Sequence, residues 1–302
     1  MEQVFQLLVG GVAQGCVYGL IALGFVLIYK ATEQVNFAQG DFLMLGAYVA
    51  LTFLLEARAL GWNVHAAYWA ALAATMIVMA GFGFLFDRTV LRPILGQPQF
   101  AVVILTIAVG FIFRAVAGSI WGAEGRTMAS PFTGKKIDVA GVIIGAESLA
   151  IIAGTVILSA VLYAFFRFTR IGVAMQAASQ NQLAAYYMGI PVKIVFSLIW
   201  AISAAVAATA GILLAPQTTL DPQTGLIGFK AFAAAIVGGF GSLPGAIIAG
   251  LMIGVVETFA GAYGSRLGLP EGVHVVSAYI LMLVVLVVRP KGLFAQVYRK
   301  KV

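Results

Sequence analysis

Charge is scarce in this sequence. Asp, Glu, Lys and Arg supply 10% of its 302 residues and hydrophobic residues 62%, against roughly 25% and 45–50% in a soluble domain. With a mean hydropathy of +1.03, that excludes an ordinary soluble fold and points to a polytopic membrane protein. Cysteine is nearly absent. Cys16 stands alone in an apolar run, which rules out an intrachain disulfide and makes a thiolate metal site implausible. His65 and His274 are far apart and form no H-E-x-x-H pair, so no metal is expected. The chain has no G-x-x-x-x-G-K-[ST] phosphate loop and no G-x-S-x-G elbow, which removes those routes to ATP hydrolysis and acyl transfer. No filter-like loop or acidic ring repeat suggests a channel. A non-catalytic membrane chain without its own cofactor is expected. The 18 Lys and Arg outnumber 11 Asp and Glu, but in this class basic residues mark cytoplasmic loops rather than nucleic-acid binding.

What is abundant is apolar sequence in runs close to the roughly 20 residues that a span requires. Runs lie at about 5–28, 36–55, 64–86, 100–120, 148–166, 194–215 and 273–288. The first follows Met1-Glu2-Gln3 without a basic n-region, so it is expected to persist as a span. Residues 229–260 are too long for one simple helix and are interrupted by "GGFGSLPG", where Pro244 and its glycines should break the chain. Arg289, Lys291, Arg299, Lys300 and Lys301 follow the last run, while Arg167, Arg170 and Lys193 follow the fifth. Both segments should be cytoplasmic. An even number of crossings must separate them, which holds if 229–260 is two short segments. The reading is an all-α polytopic membrane protein: one domain over 1–302, about nine helical segments, some broken or half-spanning, N-terminus out and C-terminus in. Arg126, Lys135 and Lys136 in the predicted outer loop run against this charge bias.

Gly11, Gly15 and Gly19 form a small-xxx-small ladder on one helix face, repeated by Gly250 and Gly254, with small residues again from Ala201 to Gly211. Such ladders let helix backbones pack closely. Asp41, Arg114 and Glu257 stand out at membrane depth, where an ionisable group needs a partner or water. Arg114 could snorkel outward, or pair with Glu257.

Two interruptions are candidates for a translocation route, because transporter helices break where substrate meets backbone. The first is Asn36 to Gly40, with Asn36, Phe37, Gln39, Gly40 and Asp41 as candidate pathway residues. The second is Gly238 to Gly245, contributing Gly239, Gly241, Ser242 and Pro244. For the first, the alternative is a loop and helix N-cap at the cytoplasmic face. A cytoplasmic segment at about 168–192 is rich in helix formers, with Gly189 placed to stop a short helix and Pro191 to open the next. Its apolar Val173, Ala177, Leu183, Tyr187 and Ile190 suggest a small amphipathic helix, either an interfacial anchor or a knob for a soluble partner.

"RIGVAMQAASQNQLAAYYMGIPV" resembles the ATPase-coupling segment of the branched-chain amino acid class of ABC permeases. "VNFAQGDFLMLGAY" resembles that family's "INFAHGE" signature, with Gln39 in place of the usual His and Asp41 in place of Glu. "FKAFAAAIVGGFGSLPGAIIAGLMIGVVE" resembles its C-terminal Gly/Pro-rich motif. All three stand in family order, and the short N-terminus fits the LivH-type subunit. The resemblance implies a permease subunit of an importer in a bacterial inner membrane, driven by ATP and Mg bound in partner subunits. The partners it implies are a second, LivM-type permease, two LivG/LivF-type ATPases and a periplasmic binding protein. It implies ATPase coupling by Arg170, Gly172, Ala177, Asn181, Ala184, Ala185, Gly189 and Ile190, alternating access, and branched-chain amino acids as default substrates. Amides, urea or aromatic acids are alternative substrates. A proton- or sodium-coupled carrier using Asp41 and Glu257 is the competing class, and a membrane scaffold a third.

Overall fold

The computed structural model describes residues 2–94, 97–139, 142–264, 266, 268, 270 and 272–294. Arg299, Lys300 and Lys301, which informed the orientation, lie outside them. Among the described residues are eleven α-helices: α1 (Glu2–Thr32), α2 (Gln39–Ala59), α3 (Val64–Phe86), α4 (Gln99–Trp121), α5 (Ala146–Phe168), α6 (Arg170–Gln180), α7 (Gln182–Tyr187), α8 (Val192–Leu214), α9 (Ile227–Gly238), α10 (Leu243–Tyr263) and α11 (Val273–Val288). Seven helices are long and apolar enough to cross a membrane. The 12-residue α9 and 16-residue α11 fall short of the roughly 20 residues of a simple span.

Burial sorts the helices. α1 is buried on all sides from Gly15 to Ile28 apart from partial exposure at its ends, as expected of a helix apolar around its whole circumference at the centre of a bundle. Its glycine ladder lies on α10, antiparallel: Gly11 faces Val255, Gly15 faces Leu251 and Gly19 faces Ile247. A Cβ at Gly15 would stand 2.6 Å from the Leu251 Cα, so only glycine allows this approach. α8 is the second central helix, packed against α1, α2 and α3. α3, α4, α5 and α11 carry Ile77, Phe111, Ile157 and Val287 outward, the composition of a lipid-facing shell.

Three local departures matter. α3 runs on through a π-helical turn at Asp87–Leu91 and a 3-10 turn at Arg92–Ile94, making a 31-residue apolar unit where the sequence reading stopped at 86. The loop expected after α4 is not coil throughout: β1 (Lys136–Val139) and β2 (Val142–Gly145) form an antiparallel hairpin within an otherwise helical architecture. The coupling segment is two helices rather than one. Asn181 divides them, its side chain accepting from the Ala184 N–H at 2.9 Å to cap α7, as Thr169 caps α6 through Gly172 N–H at 3.0 Å.

Candidate functional site

The stretch Glu33 to Ala38 is not helical. α1 ends beside the coupling helices, where Gln182 Nε2 donates to the Ala31 carbonyl at 3.2 Å. The extended residues then turn back into the bundle, and α2 starts at Gln39. Asn36 and Gln39 are fully buried there. Asn36 Nδ2 donates to Gln39 Oε1 at 3.1 Å, Gln39 Nε2 donates to the Ser203 carbonyl at 3.2 Å, and Ser203 Oγ donates to the Gly24 carbonyl at 3.0 Å. Three chain segments are thereby tied at one level, and the backbone freed by the break finds partners inside the protein, the condition for irregular backbone at membrane depth. Asn36 Oδ1 also accepts from Ala38 N–H at 3.1 Å.

Asp41 is paired with Arg114. Arg114 Nε donates to Oδ1 at 2.7 Å and Nη2 to Oδ2 at 3.3 Å, with Asp41 1% exposed. Gly110 and Gly225 make room for the carboxylate. The pairing of Arg114 with Glu257 considered from sequence is overturned, as is snorkelling: Arg114 turns inward to a carboxylate that α2 delivers one residue after Gly40. Gly40 itself backs onto Gly228, where a Cβ would stand 2.7 Å from the Gly40 Cα. Phe37 stacks obliquely near Phe232, 4.9 Å between ring centroids, with Phe229 at 6.4 Å. The first interruption therefore meets the opening turn of α9.

Phe232 links it to the second interruption, its ring 4.9 Å from Phe37 and 5.8 Å from Phe240. Gly239 closes α9 with a φ of 89°, Gly241 follows, and Ser242 caps α10 by accepting from Gly245 N–H at 3.1 Å, with Pro244 in the first turn. This turn sits against the C-terminal segment, whose Leu293 and Phe294 N–H groups donate to Val237 and Gly238 carbonyls at 2.8 and 3.2 Å. Pro244 lines an apolar cavity of about 500 Å³ between α1, α5, α6 and α10.

A cleft of about 520 Å³ opens beside the start of α9. Gln14 and Tyr18 of α1, Asp221 and Thr224 of the 3-10 turn at Pro222–Leu226, Lys230 of α9 and Tyr279 of α11 supply its polar wall, and Leu214, Leu226, Ile227, Phe229 and Val275 its apolar wall. Beneath it Lys230 Nζ donates to Glu257 Oε1, and Tyr18 Oη donates to Glu257 Oε2 at 2.6 Å. Gln14 Nε2 donates to Tyr18 Oη at 2.9 Å. Glu257 is thus a buried anion with two donors. Lys230, Tyr18 and Ser203 escaped sequence reasoning because each is a single polar residue in an apolar run. A signal for Lys230 was nonetheless present: a lysine within residues 229–260, one short segment away from a membrane-depth glutamate.

In the coupling segment, Gly172 and Ala185 face the bundle together with Met175 and Ala178, while Ala177 and Ile190 are half-buried. Arg170, Asn181, Ala184 and Gly189 are exposed. Of the apolar set noted in the sequence, Val173, Leu183 and Tyr187 point outward with Tyr186 and Met188. Beyond the end of α7, Gly189 takes a φ of 82° and Ile190 N–H donates back to the Ala185 carbonyl at 3.0 Å, a glycine-terminated C-cap. Among the described residues no three His, Cys, Asp or Glu side chains stand together as a metal site.

Residues 7–287 match the family described as "Branched-chain amino acid transport system / permease component". The chain is 31% identical, over all of its length and 97% of the relative's, to the high-affinity branched-chain amino acid transport system permease protein LivH of Salmonella typhimurium. It is 30% identical to the corresponding BraD protein of Pseudomonas aeruginosa over 98% of this chain and 97% of that one. A probable LivH of Methanocaldococcus jannaschii shares 30% over 93% of this chain and 89% of that one. No solved structure matches.

Proposed function

We propose, from the premise that this chain belongs to the family of branched-chain amino acid transport permease components, that it forms half of the membrane pathway of an ATP-driven importer. The chain is a non-catalytic membrane subunit. Its cargo in this reading is branched-chain amino acids. A second permease subunit, two ATPases that bind ATP and Mg, and a periplasmic binding protein complete the assembly in a bacterial inner membrane.

The observation that carries this reading is the tip of the coupling segment. Leu183, Tyr186, Tyr187 and Met188 are 66–82% exposed on a six-residue helix that is too short to span, at the end of the bundle where basic residues gather. Arg92 at the end of α3 donates to the Lys193 carbonyl at the start of α8, at 2.8 Å. Gln182 reaches the end of α1. Arg167 and Arg170 adjoin the segment in sequence, Lys30 at the end of α1 lines a pocket with Met175, Gln176 and Ser179 of α6, and Arg88 lies in the turn just before Arg92, which supports a cytoplasmic placement. At the opposite end Gln6 donates to the Ile143 carbonyl at 3.1 Å, which supports an external N-terminus beside the hairpin. Tyrosines are enriched at the hot spots of protein interfaces, and methionine at their cores. ATP-driven closure of the ATPase pair would carry α6 and α7 with it, and α8 directly after them, reorienting the cavity by alternating access.

In that cycle Asn36, Phe37, Gln39, Gly40 and Asp41 form the closed constriction, and the turn bearing Gly239, Gly241, Ser242 and Pro244 is the inner joint on which α9 and α10 move. The carrier alternative loses ground because Asp41 and Glu257 are each held in an ion pair. Ala185 is buried, so a docking test must use the outward side chains instead. Tyr187→Glu with Met188→Glu should leave the chain folded and abolish copurification of ATPase subunits from the native host in mild detergent. ATPases retained by this variant would move the docking site elsewhere, and a wild-type chain that purifies without any ATPase would sink the importer reading.

A further inference from the structure

The cleft beside α9 has the makings of a ligand site that the family resemblance does not specify. Its volume of about 520 Å³ lies within the roughly 300–1,000 Å³ of small-molecule sites, which are mostly apolar with a few polar groups that fix orientation. Among the described residues lining it, one is cationic, Lys230, and one anionic, Asp221. Lys230 is not sealed in a purely structural pair. Its side chain keeps 19% exposure and its ammonium has three donor hydrogens, of which Glu257 takes one. Asp221 makes its capping contacts through Oδ1, accepting from Gln223 N–H at 2.7 Å and from Thr224 Oγ1 at 3.3 Å, and this leaves Oδ2 to receive a donor. The same cleft has an aliphatic and aromatic wall of Leu226, Ile227 and Phe229, and the Phe229 ring stands 6.4 Å from the Phe37 ring of the broken segment.

We infer that this cleft is a subsite for the zwitterionic head of an aliphatic α-amino acid, with Lys230 taking the carboxylate, Asp221 the ammonium, and Leu226, Ile227 and Phe229 the side chain. The inference rests on the import reading and names the place where the released substrate waits before the Phe37–Gly40 constriction opens. Each head group is read by one charged side chain: a ligand without its carboxylate gives Lys230 no acceptor beyond Glu257, and one without its ammonium gives Asp221 no donor beyond Gln223 and Thr224, so either loss weakens binding.

The test is thiol protection. Thr218 is exposed on the cleft wall and the native Cys16 is buried, so Thr218→Cys gives one accessible reporter in this chain, read by mass spectrometry of the peptide that carries it. The whole assembly, with its ATPases and second permease, is placed in nanodiscs without binding protein and treated with a water-soluble maleimide. Saturating L-leucine should slow modification by about threefold or more, as expected when most sites are occupied. L-leucinamide, lacking the carboxylate, and 4-methylpentanoate, lacking the ammonium, should not. Lys230→Gln with Glu257→Gln keeps the pair neutral and should erase the leucine effect. Should that variant fail to fold, the three ligands on the reporter chain decide alone. Equal protection by leucinamide would overturn the role of Lys230, and no protection by leucine would overturn the subsite. Leucine import by the same assembly, given binding protein and ATP, is scored separately. Import without protection leaves the importer standing and removes the subsite, whereas protection without import does the reverse.

Discussion

At the scale of single residues, the membrane-depth charges explain themselves once paired. A buried ion needs a partner of good geometry, and removing one member is worse than removing both, because the survivor stays desolvated. Arg114→Met should therefore destabilise the chain by about 3–5 kcal/mol by leaving Asp41 alone, while Asp41→Asn added to it should recover most of the loss. Thermal denaturation of the purified protein in detergent measures both, and equal instability of single and double variants would show that the pair is not what holds α4 to α2. That Asp41, Arg114 and Glu257 mattered was legible from their rarity in apolar runs. Their partners were not, because Asp41 and Arg114 are separated by 73 positions and no local rule links them. Lys230, which pairs with Glu257, was passed over as a single polar residue in an apolar run, although both fall within 229–260.

At the scale of elements, the glycine ladders carried their meaning in their spacing. Gly11, Gly15 and Gly19 share a face, and that face meets Gly250 and Gly254 across α10. Gly15→Leu would drive a side chain into the Leu251 backbone, which cannot yield as a rotamer can, so a loss at or beyond the upper end of about 1–3 kcal/mol is expected. Gly10→Leu has nothing within 4 Å of its Cβ and should be tolerated. Fluorescence-detected size exclusion of the two variants after a heating series makes the comparison, and a Gly15→Leu protein as stable as Gly10→Leu would deny the ladder its packing role. The break at "GSLP" was equally legible, since Ser242, Pro244 and Gly245 spell a helix start after a glycine stop. The division of the coupling segment at Asn181 was missed. Asn is a good N-cap, but Gly189 drew attention as the stop and the helix formers on both sides masked the start.

At the scale of the whole molecule, the arrangement of ends carries a prediction of sidedness. The coupling helices, the end of α1, the α3–α8 clamp through Arg92 and the C-terminal Leu293–Phe294 contacts belong to one pole. The hairpin, Gln6 and the Arg126–Leu220 bridge belong to the other. With basic residues retained on the inner side, Glu124→Cys should react with a membrane-impermeant maleimide in intact cells, and Lys291→Cys only after the cells are permeabilised. The reverse pattern would invert the orientation. Arg126, Lys135 and Lys136, which weaken the charge bias, lie in or beside the hairpin pole. The bias therefore rests on Arg88, Arg92, Arg167, Arg170 and Lys193, next to long apolar helices.

The sequence by itself determined that the chain is a membrane protein, that its apolar segments break at Glu33–Ala38 and at "GGFGSLPG", which helix faces are small enough for close packing, and which segment resembles an ATPase-docking site. These are properties of composition and of spacing within one helical turn or one span, so neighbours in sequence carry them. Only the tertiary structure decided that Asp41 belongs to Arg114 and Glu257 to Lys230, that Asn36 and Gln39 tie α1 to α8 through Ser203, and that the first interruption packs on the opening turn of α9. It also gathered residues 14, 18, 214, 221, 230 and 279 into one cleft. Those outcomes depend on which apolar faces bury each other, and with nearly every span apolar on every side, that choice belongs to packing over the whole bundle.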